Sequence, residues 1–160
     1  MTLDAAQRRS TAFVCVLIFV VLSVFTAAFP VAAVAEAIAA FSVGALALSW
    51  AMSPCALVVD DTYVLVERRA WAPLRIARAS IASASPVNPY GPGIVRLFGN
   101  AGFFGNFGLF RNDALGRFRL YATHSRQAVL LRRVSGELPI VVTPDDVAGT
   151  IGAIDRRPEA

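Results

Sequence analysis

The chain has 160 residues, 56% of them hydrophobic and 16% charged, with a mean hydropathy of +0.59. An average soluble domain carries roughly 25% charged residues, so this composition argues against a wholly soluble globular chain. Lysine is absent: 15 arginines against 11 acidic residues give a formal net charge of +4 and a pI of about 9.8. Two cysteines, Cys15 and Cys55, exclude a disulfide framework and read as small apolar residues.

From Thr11 to Val59 the only formally charged residue is Glu36. A helical span needs about 20 apolar residues, so the block accommodates two spans and a turn. Met1 to Ser10 is a polar leader that ends in Arg8 and Arg9. A first span is predicted over about 11–29, ended by Pro30, which lacks a backbone donor. Val31 to Glu36 then forms an interfacial turn, and a second span covers about 37–52. Trp50 sits at its exit in the interfacial aromatic belt, and the transmembrane hairpin closes by residue 53. A cleavable signal peptide is the competing reading of the first segment, since Ala33-Val34-Ala35 satisfies the small-x-small rule. Its apolar core exceeds the usual stretch of about 7–15 residues, which favours a retained span.

Ala33, Ala37, Ala40, Gly44, Ala47 and Ala51 recur at spacings of four and three along the second span. Membrane helices pack through small residues that let backbones approach. This stripe is therefore the expected helix-packing seam, against the first span or in a homo-oligomer. Arg8 and Arg9 precede the first span and Arg68, Arg69, Arg75 and Arg78 follow the second, while the turn has no arginine. The positive-inside bias predicts a multi-pass protein of the inner (plasma) membrane with both termini cytoplasmic. Because topology alone demands these flanking arginines, they are no argument for nucleic acid as a partner.

Past the block, apolar and polar residues alternate in short runs, and residues 54–155 suffice for one small domain. Strands are predicted over Cys55–Val59 and Thr62–Arg68, around an Asp60-Asp61 turn, with one or two more in Ile76–Val87. The Pro86 to Gly93 cluster breaks the chain before another short strand, Ile94–Phe98. In the run that follows, Gly99, Gly102, Gly105 and Gly108 stand three apart. It is too short and proline-poor for collagen, and its spacing is wrong for a dinucleotide-binding loop. A glycine-rich β-hairpin remains. In Leu115–Thr123, the clearest strand, Phe118, Leu120 and Ala122 face one way and Arg117, Arg119, Tyr121 and Thr123 the other. Gln127–Arg133 and Glu137–Val142 are predicted to pair about a Ser135-Gly136 turn. Thr143-Pro144-Asp145-Asp146 opens a helix, with threonine as cap, proline in the first helical position and aspartates on the positive dipole end. Val147, Ile151 and Ile154 supply its apolar face, and residues 156–160 form a flexible tail. The fold class is α+β: a transmembrane hairpin, then a small antiparallel β-barrel or sandwich whose open end takes a C-terminal helix.

Arg96 to Gly99, the glycine-rich run, Gly116 to Thr123, Ala128 to Leu131 and Val142 to Asp146 together resemble the bacterial pleckstrin-homology-like (PH) domain family. The resemblance covers roughly Cys55 to Ile154. It implies the barrel-plus-helix fold and a membrane-anchored member, and supplies no ligand.

No catalytic constellation emerges. His124 is the only histidine, no Gly-x-Ser-x-Gly elbow occurs, and no cluster has metal-ligand spacing; no cofactor or metal is expected. Arg68, Arg69, Arg75 and Arg78 are the candidate lipid or partner contacts, since each basic residue near an anionic leaflet contributes about 1 kcal/mol. Arg117 and Arg119 offer a second anion-facing surface. The expectation is a non-catalytic membrane protein that displays a cytoplasmic PH-like domain for protein or peptide binding or scaffolding. The alternatives are anionic lipid head groups as ligand, and a small enzyme or regulatory subunit of a membrane complex.

Overall fold

The computed structural model describes residues 13–21, 23–24, 32–134 and 136–156. The leader, the Pro30 turn, Ser135 and residues 157–160 lie outside the described residues, as does the cleavage question that hangs on the first segment.

Residues 13–21 and 23–24 are helical (α1), and Ala32–Met52 forms α2. At 1.5 Å per residue the 21 residues of α2 extend about 32 Å. Glu36 thus lies inside the helix, not in the turn before it, because an alanine-rich stretch with no proline or glycine gives the helix no reason to start later. Among the described residues α2 is the one helix long and apolar enough to cross a membrane, over Val34–Met52, and a packed two-helix hairpin is not shown. The residues of α2 that are least exposed on its upper turns are Ala35, Ala39, Ser42, Leu46 and Ser49. They too are spaced by four and three, yet lie two residues, or about 200°, from the expected seam. Ala37, Ala40, Gly44 and Ala47 are exposed, and a Cβ placed at Gly44 would meet nothing. Small residues occupy both sides of this helix, so their spacing alone could not choose the covered one.

The domain begins as α2 ends. Strands β1 (Pro54–Val59), β2 (Tyr63–Arg68) and β3 (Leu74–Ala77) form an antiparallel sheet in that order. A 3-10 turn, Arg78–Ser80, leads to β4 (Ile81–Val87), β5 (Val95–Ala101), β6 (Asn106–Asn112), β7 (Gly116–Ala122), β8 (Ala128–Arg133) and β9 (Ile140–Val142). These six form a second sheet in the order β4-β8-β9-β7-β6-β5. Helix α3 (Val147–Asp155) follows and packs on β4, β1 and β8. The architecture is α+β, as expected, but the barrel is not closed: a three-stranded sheet covers only part of a six-stranded one. The expected Gln127–Val142 hairpin is also altered. β9 is short, pairs antiparallel with β8 and parallel with β7, and so separates these two strands.

This insertion explains the apolar runs of β8 and β9. Alternating strands bury one face; continuous apolar strands bury both. Val129, Leu131, Ile140 and Val142 join Tyr121 and Phe107 in a core against Val64, Val66 and Ile76 of the small sheet and Ile154 of α3. Leu130, Val141, Phe118, Leu120 and Phe110 form a second core on the opposite face, covered by Val87, Tyr90 and Ile94 of the long β4–β5 connection. There Tyr90 accepts a hydrogen bond from Asn106 Nδ2 at 2.8 Å, and burial raises its phenol above the ordinary value of 10.0 despite that bond. Pro86 is tolerated because β4 is an edge strand.

The start of α3 departs from expectation. Asp146 is the N-cap and accepts from Gly149 N at 2.9 Å, so the helix begins at Val147. Thr143 is fully buried instead, and its Oγ1 accepts from Thr123 N at 2.9 Å. A hydroxyl that satisfies a buried amide in the sheet is not available as a cap.

The C-terminal end of α3 is tied down by Arg78. Its Nη2 donates to the carbonyls of Ala153 (2.8 Å), Ile154 (2.9 Å) and Arg156, and its Nη1 donates to Asp60 O at 3.1 Å. One guanidinium thus joins the last turn of α3 to the β1–β2 turn, where the final helix carbonyls otherwise lack donors. Hydrogen bonds to charged groups contribute about 1.5–3 kcal/mol, so Arg78→Ala is expected to cost about that much. Tryptic cleavage after Arg156 should accelerate in the variant, and an unchanged cleavage rate would show that α3 holds without this tie.

Candidate functional site

Where the small sheet stops, the large sheet is left bare. Its inner face, the one bearing Phe107 and Tyr121, continues along β6 and β7 through the cross-strand pairs Phe107–Tyr121, Leu109–Arg119 and Arg111–Arg117. The first pair is buried; Arg111, Arg117 and Arg119 are exposed. A cleft of about 400 Å³ opens here, lined by Met52, Arg68, Phe98, Gly99, Phe107, Gly108, Leu109, Arg119, Tyr121 and Leu138. Met52 is the last residue of α2, so the cleft lies beside the exit of the apolar helix.

The glycine-rich hairpin shapes its floor. Gly99 and Gly108 face each other across β5 and β6 with φ of +106° and +131°, which L side chains rarely adopt. A Cβ at Gly108 would lie 2.3 Å from the Phe98 carbonyl oxygen, and one at Gly99 the same distance from that of Phe107. The backbones therefore touch where side chains would otherwise fill the cleft, and a bulge between Arg96 and Phe98 bends the edge strand. β5 is almost wholly exposed: Val95 by 54%, Leu97 by 47% and Phe98 by 79%. As the edge of the sheet, its outward backbone groups have no strand partner.

The four arginines singled out from sequence do not assemble. Register places Arg68 opposite Pro54 at the α2 end of the small sheet and Ala77 opposite Tyr63 at the other. Arg68 and Arg78 are thus separated by the length of β2, about 17 Å. Arg78 is occupied by carbonyls and lines a recess of about 640 Å³ at that far end, beside Asp61 and Ile154. Arg69 serves the exit of α2: its Nε donates to Ser53 Oγ at 3.1 Å and its amide to Ser53 O at 3.1 Å, while Ala70 N reaches Ala51 O at 3.0 Å. Arg75 is exposed on β3 opposite Leu65. Arg68 alone enters the cleft. Its guanidinium carbon lies 5.8 Å from the centre of the Tyr121 ring, and its buried Nε has no partner among the described residues.

Arg117 and Arg119, expected on the outward face of their strand, instead share the inner face with Tyr121, and the fold adds Arg111. That arginine was missed because only the hairpin register brings it opposite Arg117. Phe98, Leu138 and Tyr121 were also missed as site residues, since their meeting depends on how the sheets pack. His124 is half-buried, and among the described residues no three His, Cys, Asp or Glu side chains come together to hold a metal. Cys15 and Cys55 are free thiols.

Two partly stacked sheets, a C-terminal helix packed on strands of both and an open cleft make up the domain. The family model for the bacterial PH domain matches residues 55–157, and the chain belongs to that family. No curated protein and no solved structure matches the chain.

Gly108→Ala should destabilise the hairpin by about 1–3 kcal/mol, the usual cost of forcing a side chain into such backbone. Gly44→Ala, where the space is open, should leave the melting temperature unchanged. Near-UV circular dichroism melts of the detergent-solubilised chain would show the contrast; equal melts would mean the glycine pair is not required.

Proposed function

We propose that this chain is an integral membrane protein that presents its PH domain at the cytoplasmic face, where the domain binds an extended segment of a partner protein and scaffolds it there. The observation that carries the reading is the exposed apolar edge strand β5 beside a cleft that starts at the last residue of α2. An edge strand offers unpaired main-chain groups, and an added strand is the ligand that satisfies them. PH-like domains are generally binding modules without catalytic activity.

The support for membrane insertion is physical. Past Glu36 α2 carries no charged side chain, and it exposes Phe41 by 78%, Val43 by 65% and Leu48 by 49%. A helix of that kind is stable in lipid and costly in water. Its Ser42 hydroxyl donates back to Ile38 O at 2.8 Å, as an apolar surrounding requires. With residues 11–29 as the other span, both termini are cytoplasmic. A C-terminal alkaline phosphatase fusion should then be inactive while a C-terminal green fluorescent fusion glows; the reverse pattern would overturn this topology.

A second reading has its own observation. Trp50 at the end of α2 and Trp71 in the β2–β3 loop are exposed by 44% and 51%. The loop bonds to the helix exit through Arg69 and Ala70. Interfacial tryptophans of this kind would rest the domain on a leaflet, with anionic head groups near Arg68, Arg69 and Arg75. A photocrosslinking residue at position 98, 71 or 75 of the full chain in its native membrane separates the two readings. Protein adducts from position 98, with none from position 75, are expected. Lipid adducts alone from positions 98 and 71 would transfer the cleft to the leaflet.

A further inference from the structure

The cleft and the strand edge do not explain the charge beside them. From Val95 to Arg126 the sequence has five arginines, Arg96, Arg111, Arg117, Arg119 and Arg126, against Asp113 alone. Three of the five are brought to the same bare face by the β6–β7 register. Arg111 stands directly opposite Arg117, a pairing of like charges that weakens a hairpin. Arg119 follows two residues on, about 7 Å along the strand. None of these three guanidinium groups has a hydrogen bond or ion pair among the described residues. The Glu137 carboxylate, which lines a recess together with Arg119, pairs with Arg133 at 2.6 Å. At the α2 end, Arg68 of β2 lines the cleft from the small sheet, and its buried Nε has no partner among the described residues. A buried donor of that kind is ordinarily satisfied, and a carboxylate is the acceptor that guanidinium geometry fits best.

We propose that the bare face of the six-stranded sheet selects an acidic segment: an extended partner peptide pairs with the β5 edge and lays its carboxylates across the sheet toward Arg119, Arg117, Arg111 and Arg68. This rests on the peptide-binding reading above and names the chemistry of the partner. An extended acidic segment fits better than a leaflet for two reasons. Arg111, Arg117 and Arg119 cluster on β6 and β7 beside a concave cleft, which a flat bilayer surface cannot enter. Lipid also has no strand to offer the unpaired backbone of β5. Every second side chain of an added strand faces the arginines, so the preferred segment carries acidic residues at alternate positions, and the residues between them face the opposite side of the sheet.

The test uses the full chain in nanodiscs of zwitterionic lipid. The probes are a fluorescent ten-residue peptide of alternating glutamate and valine and its counterpart with glutamine for glutamate. Binding is followed by anisotropy and by amide hydrogen exchange in Val95–Ala101. The glutamate peptide should bind at least tenfold more tightly than the glutamine peptide, protect β5 from exchange, and weaken as salt is raised. Arg117→Glu with Arg119→Glu should abolish the preference, while Arg75→Glu on the small sheet leaves it intact. Exposed arginines at a hairpin end are replaceable without unfolding, and the exchange pattern of β8 and β9 reports whether the double variant has kept its fold. Equal protection of β5 by both peptides would leave the peptide-binding edge standing and overturn the acidic selectivity. Binding of neither peptide, with charge-dependent binding of phosphatidylserine vesicles lost in the double variant, would overturn both and assign the face to lipid.

Discussion

The whole domain depends on burying both faces of three central strands. β8, β9 and β7 present Val129, Leu131, Ile140 and Val142 to one side and Leu130, Val141, Leu120 and Phe118 to the other. Each such side chain contributes about 1.5–3 kcal/mol when taken out of water, so neither face can be left open. One is covered by the small sheet and α3, and the other by the long connection between β4 and β5. Three strands cannot cover six. The shortfall falls at β5 and β6, and the cleft is that uncovered remainder.

The arginines divide by what surrounds them. Arg78 and Arg69 sit at helix ends: the Arg78 fork takes the last carbonyls of α3, and Arg69 donates through Nε to the Ser53 hydroxyl at the exit of α2. Arg111, Arg117 and Arg119 lie exposed on a sheet face, and the Arg68 guanidinium stands over the Tyr121 ring. This positive surface lies next to an edge strand that exposes Val95, Leu97 and Phe98. Its stability comes from elsewhere, namely the two cores behind it. The glycine pair contributes by absence, since side chains at Gly99 and Gly108 would collide with the opposite backbone.

Much of this was legible in the residues. The alternation of Phe118, Leu120 and Ala122 against Arg117, Arg119 and Tyr121 places each on the face the structure shows, and the glycine-rich run does form a hairpin. Other signals misled for definable reasons. Thr143-Pro144-Asp145-Asp146 contains two capping residues, and the buried amide of Thr123 claimed the threonine, leaving Asp146 to cap. Glu137 to Val142 shows a strand but not its partners, so its insertion between β7 and β8 could not be read. In α2, small residues line both sides, and the least exposed stripe is opposite the expected seam.

What the sequence by itself determined was local. It settled the apolar block, the strand and hairpin positions, the breaks at proline and glycine and the α+β class. These follow from periods of two and 3.6 residues and from backbone preferences that act within a few residues. Tertiary structure decided the rest: which arginines are tied to helix ends, which are left facing a cleft, and that the sandwich stays open. Each of those depends on register and on the coverage of one sheet by another. Such contacts join residues far apart in the chain, and no local pattern encodes them.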